Sequence, residues 1–297
     1  MRGVAMEPAH AADRRPADPL SWHSLGLGTM ASLLVVSLEQ LGGRYYEARC
    51  QWARTHPLNE RTVAAVRHHP MLLAESTRQL ASAVERRHLS APGRPPLVPV
   101  SVHLGLDAAA HPVEHGNATD VAVRVVVSDL APRNEGPTAY RLTAEYLHAG
   151  VPFGSCTMRL APGPADAPDP WKDAGAVGAL HPSAAAVGAA AEPDVLLARS
   201  PRGRLLIVPR DAGHPVFLPD RPRRLPALAV MEAGRQAALL GCGLTSAAVI
   251  GLRVELHAAT PANGAEIEAV AEHGGARFAV SAAGGVTATG GVTLRCP

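Results

Sequence analysis

The sequence predicts an α+β fold made of two copies of one unit, each an antiparallel sheet wrapped around a single long helix. Two observations carry that prediction: the chain repeats itself, and in each repeat an apolar helical run is followed by four strand-like runs. "HPMLLAESTRQLASAV" (69–84) and "LPALAVMEAGRQAALL" (225–240) match when set on their shared Glu-x-x-Arg-Gln, which pairs Glu75 with Glu232, Arg78 with Arg235 and Gln79 with Gln236. The ends of the halves agree too, "GVPFGSCTMRLAP" (150–162) with "GVTATGGVTLRCP" (285–297). A repeat of this kind fixes the architecture before any single element is considered.

In the first copy "ASLLVVSLEQLGGRYYEARCQWA" supplies strand-like sequence ahead of the helix. After the helix come "LVPVSVHLGL", "DVAVRVVVSD", "TAYRLTAEYLHAG" and "VPFGSCTMRLA", rich in β-branched residues and separated by Gly, Pro, Asn and Asp. The second copy keeps the order: "DVLLARSPRGRLLIVPRD", the helix, then "SAAVIGLRVELHA", "AEIEAVAEHG", "ARFAVSAAGG" and "VTATGGVTLRC". A sheet with one apolar face needs a helix to cover it. An antiparallel sheet around one buried helix is the hotdog arrangement, and two in one chain make an intramolecular pseudo-dimer. The helix motifs lie 157 residues apart and the terminal strands 135, so the second copy has the shorter loops. The Pro-, Gly- and Ala-rich stretch at 163–193 reads as a linker. The predicted organisation is a disordered tail at 1–25, a hotdog domain at 26–162, the linker, and a second hotdog domain at 194–297.

At 297 residues with 47% hydrophobic composition, the chain has material for a sizeable core. The net charge is only +2 and the arginines are dispersed, which argues against a nucleic-acid partner. Cys50, Cys156, Cys242 and Cys296 match no metal or redox spacing and read as reduced structural residues. The first twenty residues hold no continuous apolar stretch of a secretory signal, and no run is apolar enough to span a bilayer. The expectation is a cytoplasmic protein, open to homo-oligomer formation, without membrane contact.

The helix motif is where chemistry is expected. Residues three apart share one helix face, so Glu75 with Arg78, and Glu232 with Arg235, present a carboxylate and a guanidinium together. The bland alternative is an exposed ion pair contributing roughly 0.2–0.5 kcal/mol. The apolar residues around Glu232 argue against it, since enclosed charges need a partner, a cavity or a ligand. A carboxylate near apolar walls gains basicity and suits a general base, while arginine suits phosphate or a developing oxyanion. The expected catalytic set is Glu75, Arg78, Glu232 and Arg235.

"HPMLLAESTRQ" and "HPVFLPDRPRRLPALAVMEAGRQAA" resemble the paired signature of the A-factor biosynthesis hotdog family, the AfsA-like γ-butyrolactone synthases of actinobacteria. The resemblance covers roughly 30–160 and 194–297. It implies transfer of a β-ketoacyl group from an acyl carrier protein or CoA thioester to the hydroxyl of a phosphorylated acceptor such as dihydroxyacetone phosphate, in autoregulator lactone or butenolide biosynthesis. It also implies a need for the four charged helix residues. Where the family's second copy reads Asp-His-Val-Pro-Gly-Met, this chain has Arg223, Arg224, Leu225, Pro226, Ala227 and Leu228. The histidine is lost, which leaves the acceptor in question and offers Arg224 as an anion ligand.

His69 and His214, each followed by proline, are the histidines expected to touch substrate; both are equally suited to turns, and His56 is the weaker candidate. Gln79, Gln236 and Arg224 complete the expected binding set. No HExxH, GxSxG, Walker or GxGxxG motif is present, so neither metal nor cofactor is expected. "LGLGTM" (25–30) reads as the end of a flexible leader. Two rival readings remain: a hotdog dehydratase or thioesterase pairing a histidine with a helical carboxylate, and a non-catalytic ligand-binding homologue.

Overall fold

The computed structural model describes residues 20–59, 66–89, 96–131, 138–163, 178–243 and 248–295, which leaves residues 1–19 of the expected tail and Cys296 outside the description. The first half contains β1 (Val35–Gly42), β2 (Tyr45–Ala53), β3 (Val66–Arg67), α1 (Met71–Val84), β4 (Val98–Leu106), β5 (Val113–Glu114), β6 (Ala118–Ala131), β7 (Ala139–His148) and β8 (Val151–Ala161). The second contains β9 (Leu197–Arg199), β10 (Leu205–Ile207), α2 (Ala227–Cys242), β11 (Ala248–Leu256), β12 (Ala265–Glu272), β13 (Gly275–Ala282) and β14 (Gly285–Arg295).

Twelve strands form one sheet in the order β1-β2-β6-β7-β8-β4-β11-β14-β13-β12-β10-β9, every pairing antiparallel. The order reads the same from either end once β1 is matched to β9, β2 to β10, and so on to β4 with β11. The halves join at the centre, Leu104 opposite Leu252 and Val102 opposite Val254. Helix α1 packs on β1, β2, β4, β7 and β8, α2 on β4, β9 and β11 to β14, and the helices touch each other. This is a double hotdog.

Period-two burial makes the sheet one-sided. Tyr46, Ala48, Cys50 and Trp52 of β2 point inward beside Val125, Val123, Val121 and Thr119 of β6. Buried polar groups must find partners, and in the first half α1 provides them. Trp52 Nε1 donates to Ser76 Oγ at 3.0 Å, Tyr146 Oη to the Leu73 carbonyl at 2.9 Å, and Tyr140 Oη to the Ala81 carbonyl at 3.1 Å. The second half has no such aromatic hydroxyls. There α2 is mostly small and apolar, and the Phe278 ring fills a slot between Gly234 of the helix and Gly290 of β14, both of which meet it where a Cβ would stand.

Two stretches that the sequence reads as flexible are folded. Residues 20–34 lead into β1 with Leu25 and Leu27 buried, and residues 183–196 lead into β9 with Val187 and Asp194 buried. Each passes through two short 3-10 turns, the first ended by a glycine in the left-handed region, Gly26 (φ 65°) and Gly188 (φ 59°). Of the expected linker, 164–177 lies outside the described residues, while 178–193 packs as the second copy of the first half's lead-in. Composition conceals this because turns of Ala and Gly hide few side chains; the helix motif holds them, as shown below.

Gly234→Ala tests the Phe278 slot. Alanine gains about 1 kcal/mol of helix propensity, but the methyl meets the Phe278 ring and overpacking costs about 1–3 kcal/mol. A lowered urea midpoint is expected, recovered by adding Phe278→Leu; an unchanged or raised midpoint in the single variant contradicts the close packing.

Candidate active site

In both copies the helix motif is a clasp. Arg78 Nε and Nη2 donate to the two oxygens of Glu75 at 2.8 and 2.6 Å, and Arg235 does the same to Glu232 at 2.8 and 2.7 Å. The glutamine one position on donates to the same carboxylate, Gln79 at 2.8 Å and Gln236 at 2.9 Å. Each glutamine also grips its lead-in. Gln79 donates to the Ser32 carbonyl and accepts from the Leu34 and Val35 amides; Gln236 donates to the Asp194 carbonyl and accepts from the Leu196 amide. The carboxylate therefore positions an amide that fixes the chain entering the first strand of each half.

The copies differ in what the arginine does next. Arg78 has a side chain 27% exposed and, among the described residues, its hydrogen bonds go to Glu75 alone. The Arg235 side chain is 4% exposed, and its Nη2 also reaches the carbonyl of Gly188 at 2.9 Å. Its remaining nitrogen, Nη1, has no hydrogen bond to the described protein, and Arg235 lines a cavity of about 980 Å³ between the halves.

One side of that cavity is built by Arg67, His68, His69 and His111 of the first half, the other by 183–192, Arg235 and Leu239 of the second. His69 stands just before α1, and its Nδ1 accepts the Met71 amide at 3.2 Å, which places the ring proton on Nε2. Nε2 faces Glu232 Oε2 at 3.9 Å. His68 is held by the Asn59 amide at 3.0 Å and by Thr119 Oγ1 at 2.8 Å, and Thr119 donates to Glu114 at 2.6 Å. Asn59 also accepts the His69 amide at 3.1 Å, so one side chain fixes both histidines. His111, 7% exposed, meets the Phe153 ring edge-on with centroids 5.6 Å apart.

Burial and neighbouring charge set the protonation states. Desolvation, with Arg235 close by, lowers His69 to about 4 against the pull of Glu232 and Asp194. Desolvation likewise lowers His68 and His111 to about 4. Burial alone would raise Glu232, but Arg235, His69 and the hydrogen bonds outweigh it and hold the carboxyl below its ordinary value. The expectation of a carboxylate made basic by apolar walls is thus reversed at Glu232, because its own arginine neutralises the enclosure. Burial pushes the Cys50 and Cys156 thiols up to about 12, away from nucleophilic use.

Of the nine residues expected at the site, His69 and Arg235 line the cavity. Glu232 and Gln236 lie directly behind Arg235. His214 stands behind the 183–192 wall: its Nδ1 accepts the Val216 and Phe217 amides and its Nε2 donates to Asp194 at 3.0 Å. Arg224 bridges to Pro261 in the loop between β11 and β12 and is absent from the cavity wall. Glu75, Arg78 and Gln79 form the other clasp, and the position there that corresponds to His69, 157 residues on, is Pro226. Sequence reasoning missed His111, Arg67 and the 183–192 wall; "HP" at 111–112 repeats the signal that singled out the other histidines.

Similar folds are found among solved structures. The dehydratase domain from the terminal module of the rifamycin polyketide synthase is 16% identical, over 92% of this chain and 99% of that one, with a TM-score of 0.47. A tesB protein of Mycobacterium avium subs paratuberculosis is 12% identical over 87% and 96%, TM-score 0.43. A conserved protein with a hot dog fold from Alicyclobacillus acidocaldarius is 14% identical over 90% and 97%, TM-score 0.41. At such identities and scores these likenesses decide nothing about activity, and the double hotdog stands on its own strand order and helices. No protein-family model and no curated protein matches the chain. Among the described residues no helix is long and apolar enough to cross a membrane.

The asymmetry of the clasps predicts unequal mutants. Glu232→Ala leaves Arg235 buried without its counter-charge and is expected to cost about 3–5 kcal/mol. Glu75→Ala is expected to cost about 1–3 kcal/mol, because Arg78 can turn to water. Equal losses in urea denaturation would contradict the assignment. A second expectation concerns acid. Between pH 6.5 and 4 the unfolded chain takes up protons on histidines that the fold keeps neutral. Stability is therefore full above pH 6.5 and declines toward pH 4, by up to about 1.4 kcal/mol per pH unit for each of His68, His69 and His111. Urea midpoints that stay level from pH 7 to 5 would count against it.

Proposed function

We propose that the chain is an acyltransferase acting on acyl thioesters in the cavity between its two halves. It would carry a β-ketoacyl group from an acyl carrier protein or CoA thioester to a hydroxylated, phosphorylated acceptor such as dihydroxyacetone phosphate. The observation that supports this reading is the meeting of His69 from one half with Arg235 from the other at the cavity, Nη1 of the arginine making no hydrogen bond to the described residues. A neutral imidazole donating through Nε2 and a guanidinium N–H are two fixed donors for a thioester carbonyl that becomes an oxyanion. Glu232 acts through them, as a positioning residue, by holding Arg235 and facing His69. The clasp of the first half keeps the architecture but has no histidine opposite it, so a single site per chain is proposed.

Dehydration, the rival reaction, needs an acid to protonate the departing hydroxyl. Glu232 is the carboxyl nearest His69, and Arg235 keeps it ionised, which favours transfer over dehydration. Hydrolysis uses the same donors with water as acceptor and is separated by product.

The test is a panel of β-ketoacyl- and β-hydroxyacyl-CoA thioesters, with and without dihydroxyacetone phosphate, read by product mass. Acyl ester plus free thiol, dependent on the acceptor, is expected. Arg235→Lys keeps the charge beside Glu232 and loses the donor fork, and a fall of about 100-fold in kcat is expected. Loss of water from the β-hydroxyacyl thioester, or full activity in Arg235→Lys, would overturn the reading.

A further inference from the structure

We propose that Arg67 is the phosphoryl-binding residue of this site, holding a phosphate carried by a substrate; the proposal rests on the acyl-transfer reading and supplies the anion ligand that reading lacks. A phosphate brings a charge of about −1.5 to −2 near neutral pH, yet the arginine expected to meet it, Arg224, is absent from the cavity wall. Among the described residues that line the cavity, the permanent cations are Arg67 and Arg235. Glu232 already neutralises Arg235 through a two-pronged contact. Arg67 is exposed, and its side chain makes no hydrogen bond or ion pair to the described residues.

The backbone fixes where this guanidinium starts. β3 and β5 form a two-stranded ladder in which Arg67 pairs with Val113 and Val66 with Glu114. His69 follows two residues on, and two residues of chain span at most about 7 Å, so both side chains rise from neighbouring points of one wall. Val66 and His68 are buried, whereas Arg67 is exposed and the His69 side chain is 11% exposed. His69 Nε2 and Arg235 Nε in turn approach the same oxygen of Glu232, at 3.9 and 2.8 Å. Arg67 is thereby tied, through His69, to the two donors proposed for the thioester carbonyl. Nearby carboxylates are engaged elsewhere: Glu114 accepts from Thr119 and the Gly116 amide, and Glu192, the one carboxylate of the described wall, from Arg210 and the Ala184 amide. The Arg67 charge is felt inside the cavity, where it adds to burial and to His68 in lowering His111 to about 4. A planar fork of donors in that position, beside imidazoles kept neutral, suits a phosphoryl oxygen pair.

The competing account is a solvated surface arginine. Arg67→Ala removes the guanidinium at an exposed position, and Arg67→Lys keeps the charge. Rates are compared for a donor with phosphate, acetoacetyl-CoA, and one without, acetoacetyl-N-acetylcysteamine, and for dihydroxyacetone phosphate against dihydroxyacetone. In Arg67→Ala the KM of the phosphorylated partner is expected to rise about 10- to 100-fold with kcat little changed, and Arg67→Lys is expected to recover most of the loss. Its phosphate-free analogue is expected to keep its KM. A rise for dihydroxyacetone phosphate assigns the phosphate to the acceptor, and a rise for acetoacetyl-CoA assigns it to the donor. Equal changes with and without phosphate, or no change, overturn the proposal. A second readout does not need turnover: the phosphorus resonances of dihydroxyacetone phosphate and of coenzyme A are recorded with the protein present. Broadening of at least one is expected with the parent chain and with Arg224→Ala, and its loss with Arg67→Ala. No broadening with the parent, or broadening that survives in Arg67→Ala, overturns the proposal. A parent chain that broadens the signal but is inert toward every thioester would instead sink the acyl-transfer reading and leave the phosphoryl subsite standing.

Discussion

The buried carboxylate–guanidinium pair on each central helix is the interaction around which this molecule is organised. Two charges in an apolar interior are seldom a net gain over hydrophobic residues of the same size, so their presence needs a reason beyond stability. Geometry provides one. Glu75 and Glu232 each accept three hydrogen bonds, two from arginine and one from glutamine, and the glutamine in turn fixes the backbone that enters β1 or β9. Register matters at these strands because a one-residue slip would exchange their buried and exposed faces. A polar clasp that accepts only one arrangement of amides and carbonyls sets that register where greasy contacts would tolerate sliding.

Duplication supplied this device twice, and the halves have since used it differently. In the first half the helix is pinned by aromatic hydroxyls from the sheet, and Arg78 leans toward solvent. In the second half the sheet offers no such hydroxyls and Arg235 turns inward to the Gly188 carbonyl, drawing the 183–192 segment over the helix as a wall. Among the described residues a histidine faces a clasp at His69, on the half opposite to that wall, and the corresponding position of the other copy is Pro226. A pseudo-symmetric scaffold thus carries one polar opening, made from the end of one helix and the middle of the other.

Much of this was legible beforehand, for identifiable reasons. Period-two runs such as β2 and β6 declare their buried face residue by residue, and the repeated Glu, Arg and Gln mark α1 and α2 without ambiguity. The lead-ins at 20–34 and 183–194 were not legible, since their order comes from contacts to a glutamine and an arginine some 40 or more residues away. The direction of the Glu232 shift was also hidden. Burial and ion pairing push a carboxyl in opposite senses, and only the bidentate contact decides which prevails. His111 went unremarked although its His-Pro pair repeats the signal at His69 and His214, since nothing in that pair tells a cavity wall from a turn.

The electrostatics of the opening follow from the same clasp. If Glu232 were free, its negative charge beside His69 would favour an imidazolium, and the wall would present a cation paired with an anion. Arg235 cancels the carboxylate and itself lowers the affinity of His69 for a proton, so the wall presents a neutral N–H and a guanidinium N–H with no mobile proton between them. Donors whose charge state does not depend on the substrate are already arranged when negative charge develops on a carbonyl oxygen, and little reorganisation remains to be done. On the proposed reading, the structural role of the glutamate and the chemical role of the arginine are therefore one requirement: the pair that holds the chain entering β9 is also what gives the cavity wall its two donors.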